Sequence, residues 1–186
     1  FHDFERTMQL NYFGSVRLIL ALLPSMTKRK KGQIINVSSI GVLTNVPRFS
    51  AYVASKAALD AFGRCLSAEI KHTGIEITTI YMPLVRTPMI APTKLYDYVP
   101  TYTPDQAADL LVKAIVERPK RIKTALGQAG ELSYALWPKV NDFILSQGYA
   151  LFPSSSAARG GEPKNVDDRL TPKGVIFANL FRGTYW

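Results

Sequence analysis

Ile34-Ile35-Asn36-Val37-Ser38-Ser39, followed thirteen residues later by Tyr52-Val53-Ala54-Ser55-Lys56, decides how this chain is read. The first run is rich in β-branched side chains and lacks polar alternation. Residues 33–38 therefore predict a strand covered on both faces and ending in two hydroxyls. The second run opens a helix predicted over 50–72, with Leu59, Phe62, Leu66 and Ile70 as its packed stripe and Gly74 as its stop. Positions i and i+4 lie on one helix face, so the Lys56 ammonium can approach the Tyr52 phenol without bending the backbone. A free tyrosine titrates at about 10, and a nearby cation favours the phenolate, which makes such a pair a usable acid or base. A Tyr and a Lys at this spacing occur by chance on many helix surfaces. The strand, its terminal Ser39 and the helix that follows make the signal specific, because they place three polar side chains where they can meet one substrate oxygen.

Outward from this stretch, residues 3–30 carry apolar side chains at helical spacing (Phe4, Met8, Tyr12, Val16, Ile19, Leu20, Leu23), and Pro24 predicts a kink or an earlier stop. Residues 40–49 predict a loop and 75–81 a strand. Residues 89–102 hold Tyr96, Tyr98, Tyr102, Pro92 and Pro100 without a period, and read as a long aromatic loop placed to act as a lid. Thr103-Pro104-Asp105-Gln106 is a helix start, with Thr as N-cap, Pro at the first helical position and Gln at the third; its helix is expected to reach Arg118. Lys120 to Leu126 predicts the last strand. Helices and strands alternate across long crossovers, which argues for an α/β fold with a parallel sheet covered by helices. Residues 137–152 hold a stripe of Trp137, Val140, Phe143, Ile144 and Leu151. It reads as core packing, with a membrane-facing or acyl-chain-facing surface as the sharper alternative. The expected organisation is a domain over 1–152, a linker over 153–172 rich in Ser, Gly, Pro and charge, and an apolar tail over 173–186.

With 186 residues, 47% hydrophobic and 20% charged, the chain is long enough for one domain with a real core, and its composition argues against global disorder. The single Cys65 excludes an internal disulfide framework, suits a reducing cytosol and reads as a packing residue. His2 and His72 stand apart from any carboxylate or thiol cluster, so no metal site is expected. The net charge of +9 is densest at Lys28-Arg29-Lys30-Lys31, where cations suit the negative pole of a helix and Gly32 suits the C′ position. The same charge attracts anions such as pyrophosphate, coenzyme A or an anionic membrane surface. Scattered basic residues without interleaved aromatics argue against nucleic acid. The longest apolar run, Leu18 to Leu23, is too short to span a bilayer; a cytoplasmic protein is expected, with peripheral membrane contact as the alternative.

Four residues in three ordered motifs carry a resemblance to the short-chain dehydrogenases/reductases: Asn11 in Met8-Gln9-Leu10-Asn11-Tyr12-Phe13-Gly14, Ser39 in Asn36-Val37-Ser38-Ser39, and Tyr52 with Lys56. It covers roughly residues 1–125 and implies a Rossmann-like, doubly wound parallel sheet, of which this chain is the C-terminal portion only. It also implies a catalytic tetrad. Tyr52 exchanges a proton with the substrate oxygen, Ser39 hydrogen-bonds that oxygen, Lys56 binds the nicotinamide ribose, and Asn11 holds a water in the proton relay. Asn11, Tyr52 and Lys56 thereby count among the cofactor-binding residues as well. Pro83-Leu84-Val85-Arg86-Thr87-Pro88 resembles the family segment beside the nicotinamide, so Pro83, Val85 and Thr87 are the further cofactor-binding candidates, although the family's glycine is absent there and the segment is one residue shorter. More narrowly, Asn11-Tyr12-Phe13-Gly14, Ser39-Ile40-Gly41-Val42, Met82 to Met89 and Gly183-Thr184-Tyr185-Trp186 look like the reductase domain of bacterial fatty acyl-CoA reductases.

The family's Gly-rich phosphate-binding turn is not found in these 186 residues; Gly127-Gln128-Ala129-Gly130 and Gly160-Gly161 lack its spacing and its preceding strand. The chain is read as the C-terminal piece of a longer protein, a piece not expected to hold a dinucleotide by itself. What the resemblance implies is an NAD(P)-dependent oxidoreductase, using NADPH with NADH as the alternative, that reduces a long-chain fatty aldehyde or acyl-CoA towards the alcohol. An apolar carbonyl or acyl-CoA is then the small-molecule partner, and the full-length protein is expected to be a homo-oligomer. The reading from another class is a non-catalytic reductase-like fragment serving as scaffold or subunit.

Overall fold

A computed structural model of the chain describes residues 1–88, 90 and 99–151. The predicted first helix is three pieces: α1 (His2–Thr7), a π-helical turn (Met8–Phe13) and α2 (Gly14–Lys28). After it come β1 (Gly32–Ser39), a short α3 (Gly41–Thr44) where a loop was expected, α4 (Ser50–Glu69), a 3-10 turn (Lys71–Thr73) and β2 (Ile75–Met82). The remaining elements are α5 (Pro104–Glu117), β3 (Arg121–Ile122), α6 (Ala125–Leu136) and α7 (Pro138–Leu151). The described chain divides into two compact units, one of Phe1–Met82 with Ala108–Lys123, the other of Pro83–Ala107 with the residues from Thr124 on.

In the first unit the strands form a parallel sheet in the order β1-β2-β3, with β1 and β2 in register from Gly32↔Ile75 to Ser39↔Met82. Alternate residues serve opposite faces. On one face Ile34, Ile75 and Ile77 pack with Ile19 and Leu23 of α2 and with Phe62, Leu66 and Ile70 at the end of α4. On the other, Ile35, Ile80, Met82 and Ile122 pack with Leu110, Leu111 and Ala114 of α5. Ile80 and Ala114 are fully buried, and burial of a side chain such as Ile80 contributes about 1.5–3 kcal/mol. Helices on both faces explain why β1 and β2 show no polar alternation. Along its other edge β1 has no strand partner among the described residues; an open groove of about 480 Å³ runs there, with Leu10, Leu18, Leu22, Met26 and Lys56 among its lining.

Several expectations are corrected. α2 runs through Pro24 to Lys28 without stopping, because Leu20, whose carbonyl loses its donor, lies on an exposed face where water can serve it. The departure from regular α-helical winding falls instead at the π-turn, which Gly14 follows directly and through which the backbone stays helical. After the helix, Lys30 and not Gly32 takes the left-handed conformation (φ 52°), and its carbonyl lies against Gly74, itself at φ 74°, so closely that no Cβ fits there. Gly32 begins β1. Cys65 is exposed, on the side of α4 turned from Leu66 and Gly63. The expected strand over 120–126 shrinks to Arg121–Ile122, because Thr124 caps a helix, accepting from the Gly127 N–H at 3.2 Å.

In the second unit, Val85 bridges Tyr102, with the Tyr102 N–H donating to the Leu84 carbonyl and the Arg86 N–H to the Tyr102 carbonyl, each at 2.8 Å. The start of α5 carries the expected reciprocal cap. The Gln106 N–H donates to Thr103 Oγ1 at 3.2 Å, and the Thr103 N–H donates to Gln106 Oε1 at 2.8 Å. The 137–152 stripe lies on α7 but is not packed as core: Trp137 is 60% and Phe143 64% exposed. Met89 and residues 91–98 of the aromatic loop, the 153–172 linker and the 173–186 tail lie outside the described residues.

Candidate active site

All four residues singled out by the motifs fall in the first unit, on three elements around one end of α4. The π-turn presents Asn11 to α4, and its side-chain amide donates to Ser55 Oγ at 3.0 Å. One turn earlier Thr7 Oγ1, whose proton is directed to the Asp3 carbonyl at 2.7 Å, lies 3.3 Å from the Ala51 carbonyl. Thr7 and Asn11 are four apart, as are Ala51 and Ser55, so the two helices approach at matching helical spacing and the Asn11 bond ties them. Tyr12 adds an edge-on contact with Phe62, ring centroids 6.4 Å apart. Widened turns of this kind recur at functional sites. The Asn11 carbonyl accepts from Ser15 Oγ at 2.9 Å.

Ser55 is the residue that the motifs did not single out. It is wholly buried, accepts from Asn11 and donates to the Tyr52 carbonyl at 2.7 Å. A serine bonded to a carbonyl three residues back is a common helix-interior arrangement. Its place between Tyr52 and Lys56 was the only hint in the sequence.

Tyr52 is 37% exposed, and its phenol makes no hydrogen bond within the described residues. Lys56 reaches inward. Its Nζ donates to the Val37 carbonyl of β1 at 3.0 Å and sits 5.9 Å from the Tyr52 ring centroid. Burial holds the Lys56 ammonium below the usual lysine range, since a charge withdrawn from water favours its neutral form. Two of its three N–H donors have no partner among the described residues. Ser39, at the end of β1, accepts from the Gly41 N–H at 3.1 Å, which leaves its own O–H without an acceptor among the described residues. Gly41 brings Ser39 near the Tyr52 helix: a Cβ there would lie 3.4 Å from Ser39 Oγ and 3.3 Å from Val53 Cγ2. Neighbouring Ser38 and Asn36 are buried, and Ser38 Oγ and Asn36 Nδ2 have no hydrogen-bond partner among the described residues.

A phenol, a primary ammonium and a hydroxyl, each with unused donors, thus stand on adjoining elements of one unit. That donor set fits hydroxyl-rich and carbonyl oxygens, the groups a nicotinamide ribose and a carbonyl substrate present. Pro83, Val85 and Thr87 belong to the second unit. Pro83 is buried, Val85 is fixed by its bridge, and Thr87 Oγ1 is buried without a partner among the described residues. No cluster of His, Cys, Asp and Glu able to hold a metal occurs among the described residues, and none of their helices is long and apolar enough to cross a membrane.

A model of the short chain dehydrogenase family matches residues 1–95. The chain is 64% identical, over its whole length, to a fatty acyl-CoA reductase of Acinetobacter baylyi, of which it spans 61%. It is 47% identical over 154 residues to a fatty acyl-CoA reductase of Mycobacterium tuberculosis, covering 82% of this chain and 52% of that protein. Among solved structures, a short chain dehydrogenase from Burkholderia cenocepacia in complex with NADP superposes with a TM-score of 0.64 at 23% identity, over 74% of this chain and 56% of that one. That likeness shows a Rossmann-like fold, and the chain spans about three-fifths of the length of the Acinetobacter baylyi relative. Fold, motif order and sequence likeness agree: the chain belongs to the short chain dehydrogenase family.

Proposed function

We propose that this chain is the proton-transfer half of a nicotinamide-dependent carbonyl reductase, acting on a long-chain fatty aldehyde or acyl-CoA within a protein of its relatives' length. The observation that carries this reading is the free Tyr52 phenol one helical turn from a partly desolvated Lys56, with the Ser39 hydroxyl unspent nearby. The Tyr52 O–H donates its proton to the substrate oxygen as negative charge grows there, and the Ser39 O–H hydrogen-bonds the same oxygen. Lys56, fixed at Val37, stabilises the phenolate left behind and uses its remaining N–H donors to hold the ribose hydroxyls. Pro83, Val85 and Thr87 would hold the carboxamide end. A bound reduced nicotinamide, NADPH in this reading, supplies the hydride.

The 64% identical fatty acyl-CoA reductase supports an acyl substrate. So does the exposed apolar surface of α6 and α7, where Leu132, Leu136, Val140 and Phe143 are each more than half exposed; an acyl chain or a membrane surface would cover it. A chain-length series of aldehydes tests the reading. Each methylene buried contributes about 0.8 kcal/mol, so kcat/KM should rise by up to about fourfold per methylene. A flat profile, or a preference for small polar carbonyls, would leave a reductase of some other substrate.

A further inference from the structure

The end of α4 that carries the candidate catalytic groups buries a mixed set, Ser55 and Asp60 beside Leu59. The aliphatic cluster takes Phe62, Leu66 and Ile70 from the later turns of the helix. On the same face of the sheet Asn36 and Ser38 are buried, Asn36 Nδ2 and Ser38 Oγ have no partner among the described residues, and Asn36 lies against Gly63 in the middle of α4. Apolar packing alone tolerates small sliding of a helix over its neighbours, so something else must fix this end.

Asp60, one turn beyond Lys56 and two beyond Tyr52, is 5% exposed. Its Oδ1 accepts from the Tyr81 phenol of β2 at 2.8 Å, and its Oδ2 meets Arg64 Nε at 3.3 Å. Behind Tyr81, Arg121 of β3 donates to the phenol oxygen from Nε at 3.0 Å and from Nη2 at 2.7 Å. Burial first, and then the bond to Asp60, push the Tyr81 phenol up to about 12, so it stays a donor throughout the neutral range. α4 is therefore tied to the sheet at consecutive turns, by Lys56 to β1 and by Asp60 to β2, with the second tie continued to β3. Asp60 and Tyr81 are buried, but Arg64 and Arg121 reach solvent, and ion pairs open to water add little to stability. Fixing a register is a better account of this network.

We propose that Asp60 and Tyr81, backed by Arg121, are positioning residues that hold Tyr52 and Lys56 in the reactive register. The inference rests on the carbonyl-reductase reading above and adds residues that touch no reactant. It is tested in the complete protein with Tyr81→Phe, Asp60→Leu and Asp60→Asn, measuring kcat and KM per cofactor site counted by calorimetry, alongside Tm. A misplacement of about 1 Å can cost on the order of 10²-fold; a partial loss, about tenfold in kcat per site, is expected for Tyr81→Phe and Asp60→Leu, with aldehyde KM nearly unchanged. Asp60→Asn keeps an oxygen for the phenol and should recover most of that loss. The double variant Asp60→Leu/Tyr81→Phe removes both partners and leaves neither of them unsatisfied, so it serves if a single variant does not fold. Lowered Tm with full kcat per site in these variants would overturn the proposal. Tyr52→Phe, assayed in parallel, separates the two ideas: if it keeps full turnover, the reductase reading fails and the positioning role falls with it, whereas an inactive Tyr52→Phe beside a fully active Tyr81→Phe sinks the positioning role alone.

Discussion

Removing the Ser55 hydroxyl tests whether the π-turn is tied to the catalytic helix as the geometry indicates. Ser55→Ala deletes an oxygen that accepts from Asn11 at 3.0 Å and donates to the Tyr52 carbonyl at 2.7 Å, at a wholly buried site. One buried hydrogen bond contributes about 0.5–1.5 kcal/mol net, and an orphaned donor costs about 1–3 kcal/mol when water cannot reach it. Asn11 is only half-buried, so its amide recovers part of that cost from solvent. Alanine is also the better helix former by about 0.5 kcal/mol. The balance is a loss of about 1 kcal/mol, or a few degrees in Tm for a domain of this size. Asn11→Ala should cost a similar amount, and the double variant little more than either single one. Urea unfolding of all four proteins then yields a coupling of about 1 kcal/mol. Additive losses, with coupling below about 0.3 kcal/mol, would refute the tie between the π-turn and α4.

Gly74→Ala should be far more costly, about 2–4 kcal/mol, because it adds left-handed strain at φ 74° to a contact with the Lys30 carbonyl that the backbone cannot relieve; a loss below 1 kcal/mol in urea unfolding would contradict it. Lys56 carries a pH signature. Its folded-state value lies below the unfolded one, so the unfolded chain binds more protons in the window between them, and stability rises as pH climbs through it towards about 10.4. Relative to Lys56→Met, the wild type should therefore gain stability between pH 7 and pH 10; a flat or opposite trend in Tm would contradict this.

Much of this was legible in the sequence because local and global signals agreed. The β-branched run before Ser39 read as a strand and is one, although Val37 near its end is exposed, and Thr103 to Gln106 marked the start of α5 by a cap whose two bonds the structure contains. Lys56 and Tyr52 followed from helical spacing. Other features depend on partners distant in sequence. The π-turn at Asn11 carries no proline or glycine; contacts with Ala51 and Ser55, 44 residues on, accompany it. The Asp60–Tyr81–Arg121 chain spans 21 and 40 residues, and none of the three stands out alone. β3 was read too long because Ala125 and Leu126, taken as its end, open a helix whose only sign was the Thr124 cap. The stripe on α7 has a helical period whether it faces a core, a lipid or solvent, and periodicity does not say which.

The account stands most directly on the Tyr52 phenol. Hydride transfer from NADPH to a long-chain aldehyde, followed as loss of reduced-nicotinamide absorbance in the complete protein, should fall about 10²–10⁴-fold in Tyr52→Phe, the cost of losing a positioned acid. The phenol makes no hydrogen bond within the described residues, so Tm should stay close to that of the wild type. Turnover by Tyr52→Phe within a few-fold of the wild type would contradict the central claim that this side chain delivers the proton.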